Sequence, residues 1–370
     1  MKAHIIYQRY YDFENHTIPA GGVQTYITNL VPILNSCGYD VEIFQGAKAD
    51  SHIALDSVTV HGCCIPTQND WKNNAKILVE RSEKSFDTET DLLIFASDEL
   101  AVPNKARKSI AIQHGIYWDI PKSQARNSLK MALSGARFTY EVYKRLECVK
   151  TVVCVDFNFM NWYRAQVDRV NSDFVVVPNF TAISEKAVPK SEKVSIIFAR
   201  RFYEYRGTKI FAEAVSRILD EYEHIAVTVA GRGPDEEYLH QMLDQYRSKV
   251  TFIQYSSEES LEIHADKHIA LVPTVGSEGT SLSLLEAMAA KCAVVCTDVG
   301  GMTNIVIDGY NGIMVKAGDS VQLYEAMKRL IEDAALRKQL AQRGYETVKY
   351  GFSHEKWCAA WKKVLEEYCS

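Results

Sequence analysis

At 370 residues, with 47% hydrophobic and 24% charged side chains, the chain is longer than one hydrophobic core usually supports, and two soluble globular domains are expected. A formal charge of −5 argues against a general nucleic-acid binder. Nine cysteines, an odd number without a CxxC pair, argue against a disulfide framework and the usual zinc patterns, which leaves buried thiols in a reducing compartment.

From the N-terminus, the apolar run around Ile5-Ile6-Tyr7 is too short for the core of a signal peptide, and Gln8-Arg9 ends it. No stretch approaches the ~20 apolar residues of a membrane-spanning helix. A cytosolic protein is expected, free to rest on a membrane surface. Strands are expected at His4-Gln8, Val41-Gln45, Leu92-Ala96, Ser109-Gln113, Thr151-Val155 and Phe174-Pro178. A second series follows at Val194-Ala199, Ile225-Ala230, Val250-Gln254, Ile269-Pro273 and Ala293-Thr297. Most are continuous apolar runs, the pattern of parallel strands covered on both faces. Amphipathic segments such as Val23-Cys37, Lys209-Asp220 and Asp235-Tyr246 lie between them. Strand-helix alternation of this kind specifies an α/β fold with doubly wound sheets. A charged, Pro-containing stretch, Ser184 to Glu192, separates the two series. The expected architecture is two Rossmann-like domains, 1–182 and 183–352, facing each other across a cleft where ligands bind, with a terminal segment 353–370.

The sharpest local signal is Ser277-Glu278-Gly279-Thr280-Ser281-Leu282-Ser283-Leu284-Leu285-Glu286-Ala287-Met288. A strand ends at Pro273, a loop carries Glu278, and a helix runs from Leu282 to about Lys291. Thr280, Ser281 and Ser283 are suited to cap its start. A helix N-terminus presents unpaired amides and a positive dipole end, which suits a phosphate. Two carboxylates on either side of that start can accept hydrogen bonds from the hydroxyls of a sugar and of a ribose. The spacing alone is an ordinary feature of helices.

The wider string resembles the retaining glycosyltransferases of family 4. It joins Glu-x7-Glu to Ala293-Val294-Val295-Cys296-Thr297-Asp298-Val299-Gly300-Gly301 and then to Ile307-Asp308-Gly309-Tyr310-Asn311-Gly312. These enzymes have the two-domain GT-B fold, and the resemblance implies that Glu278 approaches the donor sugar while Glu286 binds the nucleotide ribose. Gly21-Gly22, opening a helix, is similar to the family's N-terminal glycine loop beside donor phosphates and acceptor. Arg200 or Arg201 after a strand, with Arg206-Gly207 before a helix, is similar to the family's Gly-Arg…Lys-Gly pair that holds the donor diphosphate. Ala199 and Arg206 depart from that pattern, although arginine keeps the charge and adds a bidentate fork. His114-Gly115 corresponds to a histidine that reaches the donor sugar from the N-terminal domain. Gly231-Arg232-Gly233-Pro234 resembles the nucleotide-side loop. In the GT-B fold the last helix crosses back onto the N-terminal domain, which makes Trp357 and Trp361 packing residues.

The implied reaction moves a hexosyl or deoxyhexosyl group from a nucleotide-diphosphate sugar to a hydroxyl acceptor, with retention. Catalytic roles fall to Glu278, Arg200, Arg206 and His114, and donor binding to Gly21, Gly22, Gly279, Thr280, Ser281, Leu282 and Glu286. No Asp-x-Asp motif stands at a strand end, so no metal or other cofactor is expected beyond the donor itself. The acceptor class implied is a growing or lipid-linked surface glycan. Between Lys105 and Lys150 ten basic residues face three acidic ones, and Arg126, Lys130, Arg137 and Lys144 share one helical stripe. Such a stripe suits either solvent or an anionic membrane surface. A sugar-nucleotide epimerase or phosphorylase on the same fold, or a non-catalytic sugar-nucleotide-binding subunit, are the alternative readings.

Overall fold

The computed structural model describes residues 1–14, 17–19, 21–116, 129–167, 172–184, 188–276 and 278–368. Two compact units emerge. One comprises Met1–His114, Ser123–Val177 and Cys358–Ser370; the other comprises Gly115–Lys122 and Pro178–Trp357.

The first unit is an eight-stranded sheet in the order β3-β4-β2-β1-β5-β6-β7-β8. Its strands are β1 (Lys2–Ile6), β2 (Asp40–Ala47), β3 (Ser51–Ala54), β4 (Thr59–Cys64), β5 (Leu92–Phe95), β6 (Lys108–Gln113), β7 (Thr151–Cys154) and β8 (Asp173–Val176). All pairings are parallel except that of β3 with β4. The helices are α1 (Gly22–Ser36), α2 (Trp71–Ser82), α3 (Leu129–Leu146) and α4 (Phe157–Gln166). Chain order and spatial order part company at β1, which lies between β2 and β5. That is a topological switch point, where such sheets open a crevice at the carboxyl ends of their strands.

The second unit is a six-stranded, all-parallel sheet in the order β11-β10-β9-β12-β13-β14. It uses β9 (Ser195–Ala199), β10 (Ala226–Ala230), β11 (Val250–Ile253), β12 (Ile269–Val272), β13 (Ala293–Thr297) and β14 (Ile313–Val315). Around it lie α5 (Thr208–Glu221), α6 (Glu236–Leu243), α7 (Ser260–Ala265), α8 (Leu282–Ala289), α9 (Ser320–Glu332) and α10 (Ala334–Gly351). Its β9 strand shows why the sequence reads as an unbroken apolar run. Ile196 and Phe198 pack into one core with Phe211, Val215 and Met327, while Ile197 and Ala199 pack into another with Leu284, Leu285, Met288 and Cys296. Both faces are covered, so both must be apolar.

The last helix, α11 (His354–Tyr368), begins in the second unit and belongs to the first from Cys358 onward. Trp361 is fully buried, and its indole N–H donates to the Tyr26 hydroxyl at 2.9 Å. Trp357 is buried against the ring of Phe180. Both tryptophans pack. Three strands escape the periodicity reading: β3 alternates at an exposed edge, β4 is interrupted by His61 and Gly62, and β14 has three residues. Cys154 and Cys296 lie buried within β7 and β13, and every described cysteine is a free thiol.

Candidate functional site

The second sheet reverses its winding at β9, whose neighbours are β10 and β12. Loops leaving the carboxyl ends of β9 and β12 therefore border the crevice where open α/β sheets bind ligands. Arg200 is the first residue after β9, Arg206 closes the same loop, and Glu278 lies in the loop between β12 and α8.

Glu278 Oε2 collects all three donors that define this site. Arg200 Nη2 donates to it at 2.6 Å, the Thr274 hydroxyl donates at 2.9 Å, and Arg206 Nη1 donates through a short bond. Burial alone would raise the Glu278 carboxyl, yet the charges of Arg200 and Arg206 outweigh it and hold the group down to about 2. The side chains of Arg200 and Glu278 are 4% and 9% exposed, so this is a desolvated cluster carrying two cations to one anion. Arg200 Nη1 is buried with no hydrogen-bond partner. A buried guanidinium N–H is costly to leave without an acceptor, and its chemistry suits an anionic oxygen.

Backbone contacts aim Arg200. Its N–H donates to the Ala230 carbonyl, and the Phe202 N–H donates to that of Arg232, both at 2.9 Å. Gly231 has φ +140°, and a Cβ there would sit 2.0 Å from the Arg200 carbonyl oxygen, so only glycine lets the two loops approach this closely. Arg201 instead is exposed, with its guanidinium over the Tyr203 ring at 5.7 Å. Arg200 is the residue of the pair that joins the cluster.

The Glu278 loop is buttressed in turn. The Gly301 N–H donates to the Glu278 carbonyl at 3.0 Å, and the Asn179 side-chain amide donates to the Thr280 carbonyl at 2.8 Å. Ser281 occupies the N-cap position of α8 in extended conformation, and its own side chain makes no capping hydrogen bond. The Ser281 hydroxyl faces that of Ser283 at 3.4 Å instead. Of the hydroxyls expected to cap α8, that of Ser281 does not. The first amides of α8, beginning at Leu282, have no acceptor within the helix itself.

Glu286 lies on α8, one turn and more beyond this start. Burial raises its carboxyl above the ordinary range, and the Ser260 hydroxyl donates to its Oε2 at 2.6 Å. Tyr255, after β11, is pushed well above the ordinary phenol range by burial and by the charge of Glu286. Ser260 and Thr274 are absent from the site that the sequence outlines. Single hydroxyl residues carry no pattern, although Ser256-x-x-Glu259 just before Ser260 is a capping box, and the structure forms it.

The remaining expected residues belong to the first unit. Gly21 is the N-cap of α1 and Gly22 its first residue. His114 follows β6; its Nε2–H donates to the Ala96 carbonyl at 2.8 Å, and burial lowers its pKa to about 4. It is a neutral imidazole whose Nδ1 is left as an acceptor. Of the basic stripe, Arg126 and the side chain of Lys130 lie outside the described residues. Arg137 and Lys144 are exposed on α3 beside Leu133 and Tyr140, which are 63% and 57% exposed.

Residues 179–347, which contain the whole cluster, match the family model of glycosyl transferases group 1. Over that segment the chain matches the group 1 glycosyltransferases. It is similar to a phosphatidyl-myo-inositol mannosyltransferase of Mycolicibacterium smegmatis, 24% identical over 352 residues that cover 90% of this chain and 87% of that one. Among solved structures it is similar to sucrose-phosphate synthase from Thermosynechococcus elongatus, with a TM-score of 0.79, 17% identity and coverage of 99% and 98%. A pneumococcal O-GlcNAc transferase, solved in complex with UDP and GlcNAc, gives a TM-score of 0.73 at 13% identity, with coverage of 100% and 99%. These likenesses establish the GT-B glycosyltransferase fold, with two Rossmann-like parts. The matched segment runs from Asn179, which bonds the Thr280 carbonyl, through the arginines and both glutamates.

Proposed function

We propose that this glycosyltransferase takes a nucleotide-diphosphate sugar as donor and transfers its sugar, with retention, to a hydroxyl of a lipid-linked or growing glycan. The observation that carries the reading is the convergence of Arg200, Arg206 and Thr274 on one oxygen of Glu278, beside the start of α8. Arg200 Nη1, without a partner, and the first amides of α8 offer donors to a diphosphate. As the anomeric carbon separates from the diphosphate, negative charge grows on the leaving oxygen. The guanidiniums, fixed in a desolvated site, stabilise that charge without a metal. Glu278, held anionic, faces the positive charge that grows on the sugar ring. The acceptor oxygen bonds to the anomeric carbon on the face the diphosphate leaves, and the acceptor's proton passes to the departing oxygen. Glu286 accepts from the ribose hydroxyls.

The amphipathic face of α3 supports a membrane-surface location for this reaction. Lys144 lies over the exposed Tyr140 ring at 5.4 Å, and Arg137 lies one turn away. No described helix is long and apolar enough to cross a membrane. The test of the function is proton NMR of the product formed from the preferred nucleotide sugar. The expected anomeric configuration is that of the donor. An inverted product, or a changed donor sugar without any acceptor, as an epimerase gives, overturns it.

A further inference from the structure

A carboxylate inside a protein needs partners that fix both its charge and its direction. Glu278 has three. Glu286 has one hydrogen-bond donor among the described residues, the Ser260 hydroxyl, and the charge of Arg200 acts on it without a hydrogen bond. Glu286 is partly withdrawn from water, which disfavours its charged form, and among the described residues its direction rests on that single bond.

Ser260 is itself held from several directions. It is 2% exposed and opens α7, directly after a single turn of 3-10 helix, Ser257–Glu259. That turn is fixed by the reciprocal bonds of Ser256 and Glu259, with the Ser256 N–H donating to Glu259 Oε2 at 2.7 Å. One turn later the buried His264 side chain bonds the Ser260 carbonyl through Nδ1 at 2.6 Å. The His264 carbonyl in turn accepts from the Cys292 thiol, just past α8, at 3.4 Å. The serine hydroxyl is therefore delivered to Glu286 by a locked helix start, while the carboxylate sits on the next helix. Glu286 Oε2 is taken up by Ser260. Oε1 accepts from no described residue and is the oxygen left for a ligand.

We infer that Ser260 is a positioning residue of the donor site. It holds Glu286 Oε2 so that Oε1 is presented to the vicinal hydroxyls of the donor nucleotide's ribose. The inference rests on the reading of Glu286 as the ribose-binding carboxylate. A hydroxyl acting through a carboxylate changes recognition of the ribose and leaves the reacting centre alone. The consequence is specific: loss of Ser260 weakens the enzyme's preference for a ribose over a sugar without its hydroxyls, and raises donor KM more than it lowers kcat.

The experiment compares wild type, Ser260→Ala, Ser260→Thr and Glu286→Gln. The probes are the nucleoside diphosphate that most raises the melting temperature, chosen from UDP, GDP and ADP, and its 2′,3′-dideoxy counterpart. Calorimetry gives the ribo-to-dideoxy affinity ratio, and steady-state kinetics gives KM and kcat for the matching nucleotide sugar. Wild type is expected to prefer the ribonucleotide by at least ~10-fold, since a hydrogen bond to a charged group is lost with each hydroxyl. Ser260→Ala should cut that ratio and raise donor KM by roughly tenfold, with kcat within about twofold. Ser260→Thr, which keeps the hydroxyl, should retain both, and also guards against a fold defect in the alanine variant. A full ribose preference in Ser260→Ala alongside its loss in Glu286→Gln overturns the positioning role and leaves the ribose reading intact. A full preference in Glu286→Gln overturns both.

Discussion

Replacing Glu278 by Gln removes the one anion from a buried cluster that contains two guanidiniums. Arg200 is 4% exposed and Arg206 16%, so neither charge can turn to bulk water without rearrangement. Breaking a buried pair by removing one partner costs about 3–5 kcal/mol, and an amide that still accepts one hydrogen bond puts the variant near the lower end. At about 2–4 °C per kcal/mol for a domain of this size, the melting temperature should fall by roughly 10 °C. Glu278 stays charged down to about 2 against an ordinary 4.5. Its stabilisation is therefore complete above 4.5 and is lost as pH falls from there toward 2, so the two proteins should converge in acid. A saturating nucleoside diphosphate supplies the missing anion, contributing about 2.7 kcal/mol at a hundredfold excess over Kd. It should raise the melting temperature of the Gln variant more than that of wild type. The assay is thermal unfolding followed by circular dichroism across pH, with and without nucleotide. A variant melting within about 2 °C of wild type, less than one kcal/mol's worth, would refute the counter-charge role.

Three other outcomes follow from the geometry. Arg200→Ala should lower transfer at least ~100-fold as an electrostatic contact to the leaving group is lost, while Arg201→Ala stays within about threefold; equal losses would contradict the placement of the two side chains. Gly300 has φ +52°, and a Cβ would stand 2.0 Å from the Glu278 carbonyl oxygen. Gly300→Ala should therefore displace the Glu278 loop and raise donor KM at least ~10-fold at the cost of a few kcal/mol of strain; unchanged KM would dismiss the buttress. Because burial raises the Glu286 carboxyl above 4.5, donor KM should climb on acidification before an ordinary carboxylate would protonate. A Glu286→Gln enzyme with the same acid limb would assign that limb elsewhere.

Much of this site is legible in the sequence because its parts are local. Apolar runs such as Val194 to Ala199 and Ile269 to Pro273 fix the strands, and the residues just past their ends fall at the ligand edge by topology alone. Whether Arg200 or Arg201 turns inward is not local. It is decided by the backbone of Gly231 against the Arg200 carbonyl, thirty-one positions along the chain. Ser260 and Thr274 are equally invisible, since their importance lies in what Glu286 and Glu278 need once desolvated. The capping of α8 illustrates the opposite failure. Ser281 stands where the sequence puts a cap, yet its hydroxyl meets Ser283 and makes no capping bond. Consistency of local signals predicts the ordinary arrangement, and departures from it are expected first at functional sites.

The most direct test is a thermal-shift series of wild type and Arg206→Ala across UDP-, GDP-, ADP- and dTDP-sugars, since a ligand that binds the folded state stabilises it in proportion to ln(1 + [L]/Kd). At least one donor should raise the wild-type melting temperature by several degrees at about a hundred times Kd, and Arg206→Ala should lose most of that shift. An undiminished shift in Arg206→Ala, or none with any nucleotide sugar in wild type, would contradict the assignment of the Arg200–Arg206–Glu278 cluster to the donor diphosphate.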